Sequence, residues 1–417
     1  DACGRDEGTE LHEKFRTLPR RGTWINVNGG AKRKDAGYRG AQDFRRLEVT
    51  IASYVASCEA GIYPLSLSGE TCEWCFSGDT EYWTASGVRT FAETVGTTQR
   101  VLVSTGKWVE APIRQYGVSI VDRVTLKRGK SVKVVEAMPD HRWFVCTRSD
   151  DTRTETRTVL TKDLRAGDRL ATATPRTISG VPISPIGVMA GVVYGDGVLP
   201  AGRSACELTL HDEKRDLVSY FHGCDTTTTV AVRTGREVTN IRSLPAFMKR
   251  PPDLDEARAY LLGWLAGYVA TDGSVSGGQV VISSTSRASI ELARAVAARV
   301  GIATYGVTAY QRITEIRGQS YDTTLYGVQL RSTDLPEGFL LRPGHATATA
   351  ASGSLTWTVL SVEPGLLLQP VFCAEVPGYE NFTLEGWINV SNCAFREGIC
   401  GGVALPASDA GSLGVAS

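Results

Sequence analysis

A cysteine at position 75 and the tripeptide Ser391-Asn392-Cys393 put reactive side chains at two points far apart along the chain. A thiol at one point, and an asparagine followed by a thiol at the other, are what a polypeptide needs to break and re-form its own main chain. The demand on folding is severe, because the two points must meet. Everything from Cys75 to Asn392 then forms an insert, and the residues on either side belong to a different unit. At 417 residues the chain is also too long for one hydrophobic core, so roughly two to four domains are expected.

Bulk properties narrow the field. Lys plus Arg total 45 and Asp plus Glu total 45, so net charge names no partner and any nucleic-acid surface must be a local patch. The longest apolar run, residues 260–270, is too short to span a bilayer and is interrupted by Gly263 and Gly267, so no membrane partner is expected. The start lacks a secretion signal, giving an expectation of a cytoplasmic chain. It also lacks an initiator Met, which suggests that Asp1 is not the natural beginning. In that setting the ten cysteines point to catalytic or metal roles rather than disulfides.

The opening segment CFSGDTEYWTASG, from Cys75, is followed by Met138-Pro139-Asp140-His141 and by LRAGDRL at residues 164–170. The closing segment VFCAEVPGYENFTLEGWINVSN alternates apolar and polar residues in the manner of short strands. Together these resemble an intein, a self-splicing element with a compact all-β Hint fold. The resemblance implies that Cys75 attacks the Trp74 carbonyl and that Cys393 takes the acyl group. Asn392 then cyclises to release the insert, and no cofactor is needed. It implies His141 as donor to the Cys75 amide nitrogen, with Met138 where a hydroxyl residue is usual. Cys373, where many relatives carry Asp, is either an activator of Cys393 or a buried thiol. Ser391 replaces a His, so Asn392 is either assisted by some other group, such as a backbone dipole, or cyclises slowly.

Two nonapeptides recur inside the insert, MAGVVYGDG at 189–197 and LAGYVATDG at 265–273. Ala190, Gly191 and Gly195, with Ala266, Gly267 and Ala270, would let two helices pack backbone to backbone. Each helix ends at an acid followed by Gly, so Asp196 and Asp272 should meet, and paired carboxylates suit a hard divalent cation. Strand-like runs at 206–210 and 279–284 follow, then an amphipathic helix over 288–300. The pattern resembles the LAGLIDADG (DOD-type) homing endonucleases. That resemblance implies Asp196 and Asp272 as catalytic metal ligands, Mg²⁺ as cofactor and double-stranded DNA as partner, gripped by a saddle of strands. Lys249 and Arg250, after Leu244-Pro245-Ala246-Phe247-Met248, are candidate phosphate contacts.

Joining Trp74 to Cys393 restores a CxxC pair, Cys72 and Cys393, with Cys400 shortly after. An amphipathic helix with Phe44, Leu47, Ile51, Val55 and Cys58 on one face precedes it, and residues 14–46 are dense in Lys and Arg. The mended flanks resemble the C-terminal end of RecB-like PD-(D/E)XK exonucleases. This implies an Fe–S cluster on Cys72, Cys393 and Cys400, with Cys3, Cys58 or an upstream residue as fourth ligand. The last spacing is one residue longer than usual, and no catalytic carboxylate–Lys set is visible. A zinc-stapled tail is the plainer alternative.

The expected fold class is therefore multidomain. It comprises an all-β Hint splicing domain interrupted by an α+β LAGLIDADG endonuclease domain, with mainly α-helical host flanks. The expected boundaries are 1–74 host flank, 75–174 first splicing half, 175–354 endonuclease, 355–392 second splicing half and 393–417 host flank. Splicing is intramolecular and the chain a monomer. Two other readings stay open: a RecB-like Fe–S exonuclease with an inert insertion, and Hedgehog-like autoprocessing that cleaves without ligating.

Overall fold

The structure is a computed structural model that describes residues 74–147, 155–176, 180–231, 235–316, 319–346 and 352–392. The expected helix over 44–58, the cluster cysteines Cys72 and Cys400, and Cys393 lie outside the described residues.

A 13-stranded antiparallel sheet is assembled from both ends of the described chain. Its order is Thr358–Glu363, Asp122–Arg128, Ser131–Ala137, Phe76–Ser77, Leu368–Ala374, Trp108–Ile120, Thr98–Leu102, Glu81–Thr84, Asn381–Leu384, Ile388–Ser391, Arg142–Thr147 and Glu155–Leu160. Gly87–Thr90 pairs with Glu81–Thr84 at the side of this path. The early and late segments interleave. Phe76–Ser77 lies between Ser131–Ala137 and Leu368–Ala374, and Ile388–Ser391 lies between Asn381–Leu384 and Arg142–Thr147. These strands bury Phe76, Tyr82, Trp143, Phe372, Phe382 and Val390 in one core, which Phe91 joins from a helical turn. The single helical turn Phe91–Thr94 is fixed by a reciprocal cap between Thr90 and Glu93.

Between residues 180 and 346 a second core gathers around two helices, Pro185–Asp196 and Arg258–Asp272. The first starts cleanly because Ser184 accepts from Gly187 N–H and Pro185 occupies the first turn. Both helices are apolar nearly all round, as expected for buried rather than surface helices. They touch backbone to backbone. A Cβ on Gly191 would lie 2.0 Å from the Trp264 carbonyl oxygen, and one on Gly267 would lie 2.3 Å from that of Val188. Gly187 and Gly263 make equally close approaches, which the nonapeptides alone did not single out.

Each of these helices feeds a small sheet. One has the order Ala205–His211, Glu237–Pro245, Asp225–Val230. The other runs Gly273–Ser276, Gln279–Ser284, Gln319–Leu330, Thr308–Ile316. The expected amphipathic helix spans Arg287–Arg299, capped by Ser286. A third core, of Trp83, Leu102, Leu355 and Trp387 with Ala298 and Ala303, joins the large sheet to this helical part. Among the described residues, no helix is long and apolar enough to cross a membrane.

Candidate functional site

Two separate sites emerge. In the first, the sheet register gathers the residues around the two expected junctions. Phe76 pairs with Phe372 and with Ala137, and Met138 N–H donates to the Cys75 carbonyl at 2.9 Å. Continuing the Phe76–Phe372 register by one residue sets Cys75 opposite Cys373. On the other side, Val390 pairs with Trp143. Continuing that register by two residues sets Asn392 opposite His141. Cys75, His141, Cys373 and Asn392 thus share one buried region, each at most 2 % exposed.

His141 is enclosed by rings, with Phe76 at 4.1 Å and Trp143 at 5.5 Å between centroids. Burial pushes its pKa down to about 3; the Trp74 main chain acts in the opposite direction and Arg142 adds to the lowering. Neither ring nitrogen meets strict hydrogen-bond geometry, although the Trp74 main chain is near enough to favour the protonated ring. The imidazole is therefore neutral at physiological pH, with one N–H to give and one lone pair to accept. Arg142 holds Trp74 in place by stacking its guanidinium 3.7 Å from the indole. Met138 contributes through its main chain, so the missing hydroxyl does not leave the Cys75 carbonyl unbonded. A hydroxyl does serve this region from elsewhere in sequence: Thr161 accepts from the Trp143 indole at 2.9 Å.

At the other junction, Asn392 N–H donates to the Glu380 carbonyl and its side-chain amide donates to the Val376 carbonyl at 3.4 Å. Its Oδ1 is buried without a hydrogen-bond partner. Ser391 Oγ lies 3.2 Å from the Asn392 carbonyl oxygen and 3.4 Å from that of Glu380, so its one proton has two acceptors. Read from sequence, Ser391 was only a missing His; its hydroxyl sits on the carbonyl that cyclisation would attack. Cys373 donates weakly to the Ala374 carbonyl at 3.6 Å. Beside it, the Tyr116 hydroxyl donates to Glu375 at 2.6 Å, and Arg114 pairs with the other carboxylate oxygen at 3.0 Å. Burial first, then Cys373, Glu375 and Cys75, push the Tyr116 phenol well above its ordinary value. No sequence signal marked Tyr116 or Glu375.

The second site lies where the two glycine-rich helices end. Asp196 and Asp272 are their last residues, each capped by the Gly that follows. Burial, and then the neighbouring Asp196, raise the Asp272 carboxyl; Lys214 and Lys249 act against this. Lys214 Nζ pairs with Asp196 at 2.6 Å. Lys249 Nζ donates to the Tyr194 and Gly195 carbonyls at 2.5 and 3.3 Å, and burial lowers its pKa against the pull of Asp272, Cys206 and Asp196. Lys249, a candidate phosphate contact by sequence, thus stands beside the two carboxylates. Lys214, from the 3-10 segment Asp212–Phe221, was not anticipated. A cavity of about 670 Å³ beside Asp196 is lined by His211, Asp212, Glu213, Lys214, Arg236 and Arg342 among others. Among the described residues no cluster of three or more His, Cys, Asp or Glu is arranged to hold a metal, so any cation would rest on the two carboxylates and complete its shell with water or phosphate oxygens. The mutual repulsion of Asp196 and Asp272 fits that use.

Residues 259–332 match the LAGLIDADG-like domain family. No curated protein matches the chain. Among solved structures, a mutant of an Ssp DnaB mini-intein variant is 9% identical, covering 77% of this chain and 99% of that one, with a TM-score of 0.27. Full-length DUF199/WhiA from Thermatoga maritima is 16% identical over 41% of this chain and 58% of that one, TM-score 0.27. The I-DmoI structure in complex with DNA and Mn is 11% identical over 40% of this chain and 99% of that one, TM-score 0.23. Scores this low do not establish a shared fold.

Proposed function

We propose that the chain is a bifunctional intein, which splices itself out of its host and carries a LAGLIDADG-type endonuclease. The observation that carries the splicing reading is that Cys75, His141 and Asn392 are all buried in the same sheet, with Phe76 against the His141 ring and Val390 paired with Trp143. The Cys75 thiol attacks the Trp74 carbonyl carbon, the Trp74–Cys75 C–N bond breaks, and a thioester and a free amine result. The neutral His141 ring takes the thiol proton at one nitrogen and donates the N–H of the other to the departing nitrogen, so it ends neutral as it began. The acyl group then passes to the Cys393 thiol. The Asn392 amide nitrogen attacks its own carbonyl carbon, the bond to Cys393 breaks, and a succinimide closes. Ser391 polarises that carbonyl through its hydroxyl, as an oxyanion donor does. An S-to-N shift leaves an ordinary Trp74–Cys393 peptide.

For the nuclease, Asp196 and Asp272 would hold a divalent cation such as Mg²⁺, which when bound activates water and neutralises charge on a scissile phosphate. Lys214 and Lys249 supply positive charge at the same place, and the two small sheets offer exposed faces to a duplex. Exposed Tyr310 and Tyr321 share one face of the four-stranded sheet. The match of residues 259–332 to the LAGLIDADG-like domain supports this half of the reading. The flanks, as the end of a RecB-like nuclease with an Fe–S cluster on Cys72, Cys393 and Cys400, complete the proposal.

Intact-mass analysis of the purified chain at pH 7 with reductant tests the reading. Two products are expected: the Cys75–Asn392 segment, and a host piece joining residues 1–74 to 393–417. Cys75→Ala and Asn392→Ala should each prevent ligation. Recovery of the uncut chain alone would refute splicing, and cleaved but unjoined flanks would favour Hedgehog-like processing.

A further inference from the structure

The hairpin that ends at Asn392 has its tip in contact with the helical part of the molecule. Its strands, Asn381–Leu384 and Ile388–Ser391, are joined by Glu385-Gly386-Trp387. Trp387 has φ 66° and Gly386 φ 86°, so the tip holds a left-handed turn that a tryptophan does not adopt unaided. Three contacts keep it there. The Trp387 indole stacks on Trp83 at 4.1 Å and 9°. Its N–H donates to the Thr304 carbonyl at 2.6 Å. Buried Glu385 forms ion pairs with Lys133 of the sheet and with Arg294 of the Arg287–Arg299 helix.

Arg294 is as buried as its partner, its side chain only 5% exposed. It also approaches Thr304 Oγ1 at 3.4 Å and lies 4.9 Å from the Trp83 ring. Burial alone would raise the Glu385 carboxyl, but Lys133 and Arg294 outweigh it and hold the pKa at about 2. Removing one partner of such a buried set leaves charge uncompensated, whereas an exposed pair is dispensable. Arg294 and Thr304 both fall within the stretch that matches the LAGLIDADG-like domain. A nuclease carried as an independent passenger would need no buried charge in the sheet that houses the junctions.

We propose that the Arg287–Arg299 helix is a splint for splicing, with Arg294 and Thr304 fixing the hairpin tip so that its far end presents Asn392 for cyclisation. This rests on the splicing reading above. Arg294 touches no reacting atom and is a positioning residue. The lever is short: Thr383 pairs with Asn389 and Asn381 with Ser391, so a twist at the tip reaches Asn392 along two bonded strands. A misplacement of about 1 Å at a reacting group costs on the order of a hundredfold in rate.

The test uses the full chain and two rates measured by intact mass. Thiol-induced cleavage at Trp74–Cys75 reads the first step, and release of the segment after Asn392 reads cyclisation. Arg294→Met should slow cyclisation by about tenfold, about 1.4 kcal/mol in the barrier, while the first step stays within about twofold. Arg294→Lys should recover most of the loss. Trp387→Phe, which keeps a ring on Trp83 but loses the bond to Thr304, should slow cyclisation alone. Equal loss of both steps with no recovery by Lys would make Arg294 merely structural and overturn the proposal, as would unchanged rates in both Arg294→Met and Trp387→Phe. A parent chain that cleaves at neither junction would instead overturn the splicing reading, and this proposal with it.

Discussion

His141 and Ser391 carry the sharpest expectations at the scale of single residues. Burial holds His141 at about 3, against 6.5 for an exposed imidazole. Between those values the unfolded chain binds a proton that the folded chain refuses. The contribution to stability is therefore complete above about pH 6.5 and is lost as pH falls towards 3. In a Cys75→Ala, Asn392→Ala background, which cannot splice, thermal midpoints should fall across that window. His141→Gln should flatten the fall; a profile parallel to the parent's would mean that the ring is not held neutral. Ser391→Ala removes the hydroxyl 3.2 Å from the Asn392 carbonyl. It should slow release of the C-terminal segment by roughly a hundredfold, as loss of one oxyanion donor does. Thiol-induced cleavage at Cys75 should be untouched. Equal rates for Ser391→Ala and parent would dismiss Ser391 as the group that assists Asn392.

Among the elements, the glycine-lined helix pair is the least forgiving. Pro185–Asp196 and Arg258–Asp272 meet through main-chain atoms at Gly187, Gly191, Gly263 and Gly267, so at those points no side chain can move aside. Gly267→Ala would place a methyl 2.3 Å from the Val188 carbonyl oxygen. The helices must then separate, at about 1–3 kcal/mol or more, and the ends carrying Asp196 and Asp272 must shift with them. Urea melts of the non-splicing background should show a lower midpoint with an unchanged slope. A midpoint equal to the parent's would mean that the two helices pack less closely than described. The same geometry explains why these helices look apolar on all sides: one face meets the partner and the others meet the small sheets.

For the whole molecule, the two activities should separate even though the two parts share a core. Asp196→Asn and Asp272→Asn change the last residues of the motif helices, outside the core that holds Cys75. Each should abolish Mg²⁺-dependent cutting of DNA carrying the uninterrupted host site and leave the splicing products unchanged by mass. Normal cutting by both variants would dismiss the carboxylate pair as the metal site. The shared core of Trp83, Leu355 and Trp387 with Ala298 and Ala303 predicts the opposite for changes at the seam, where damage to the helical part should reach the splicing junction.

The sequence by itself determined the chemistry on offer and much of the local structure. Cys75, Asn392, Asp196 and Asp272 stood out by residue type and spacing, His141 only through the family resemblance, and the small residues of the nonapeptides announced a close helix pair. These signals are local, because caps, periodicity and side-chain reactivity are properties of short stretches. Ser391 was read as a deficit because a hydroxyl's worth depends on the carbonyl that it faces. Lys214, Tyr116, Glu375 and the Arg294–Glu385 pair were silent for the same reason: an isolated charge or phenol looks like solvated surface until folding buries it against a partner. Only the tertiary structure decided that the first and last strands interleave, burying Cys75, His141 and Asn392 in the same sheet. Strand partners distant in sequence are chosen by the burial of a whole face at once, and no short stretch encodes that choice.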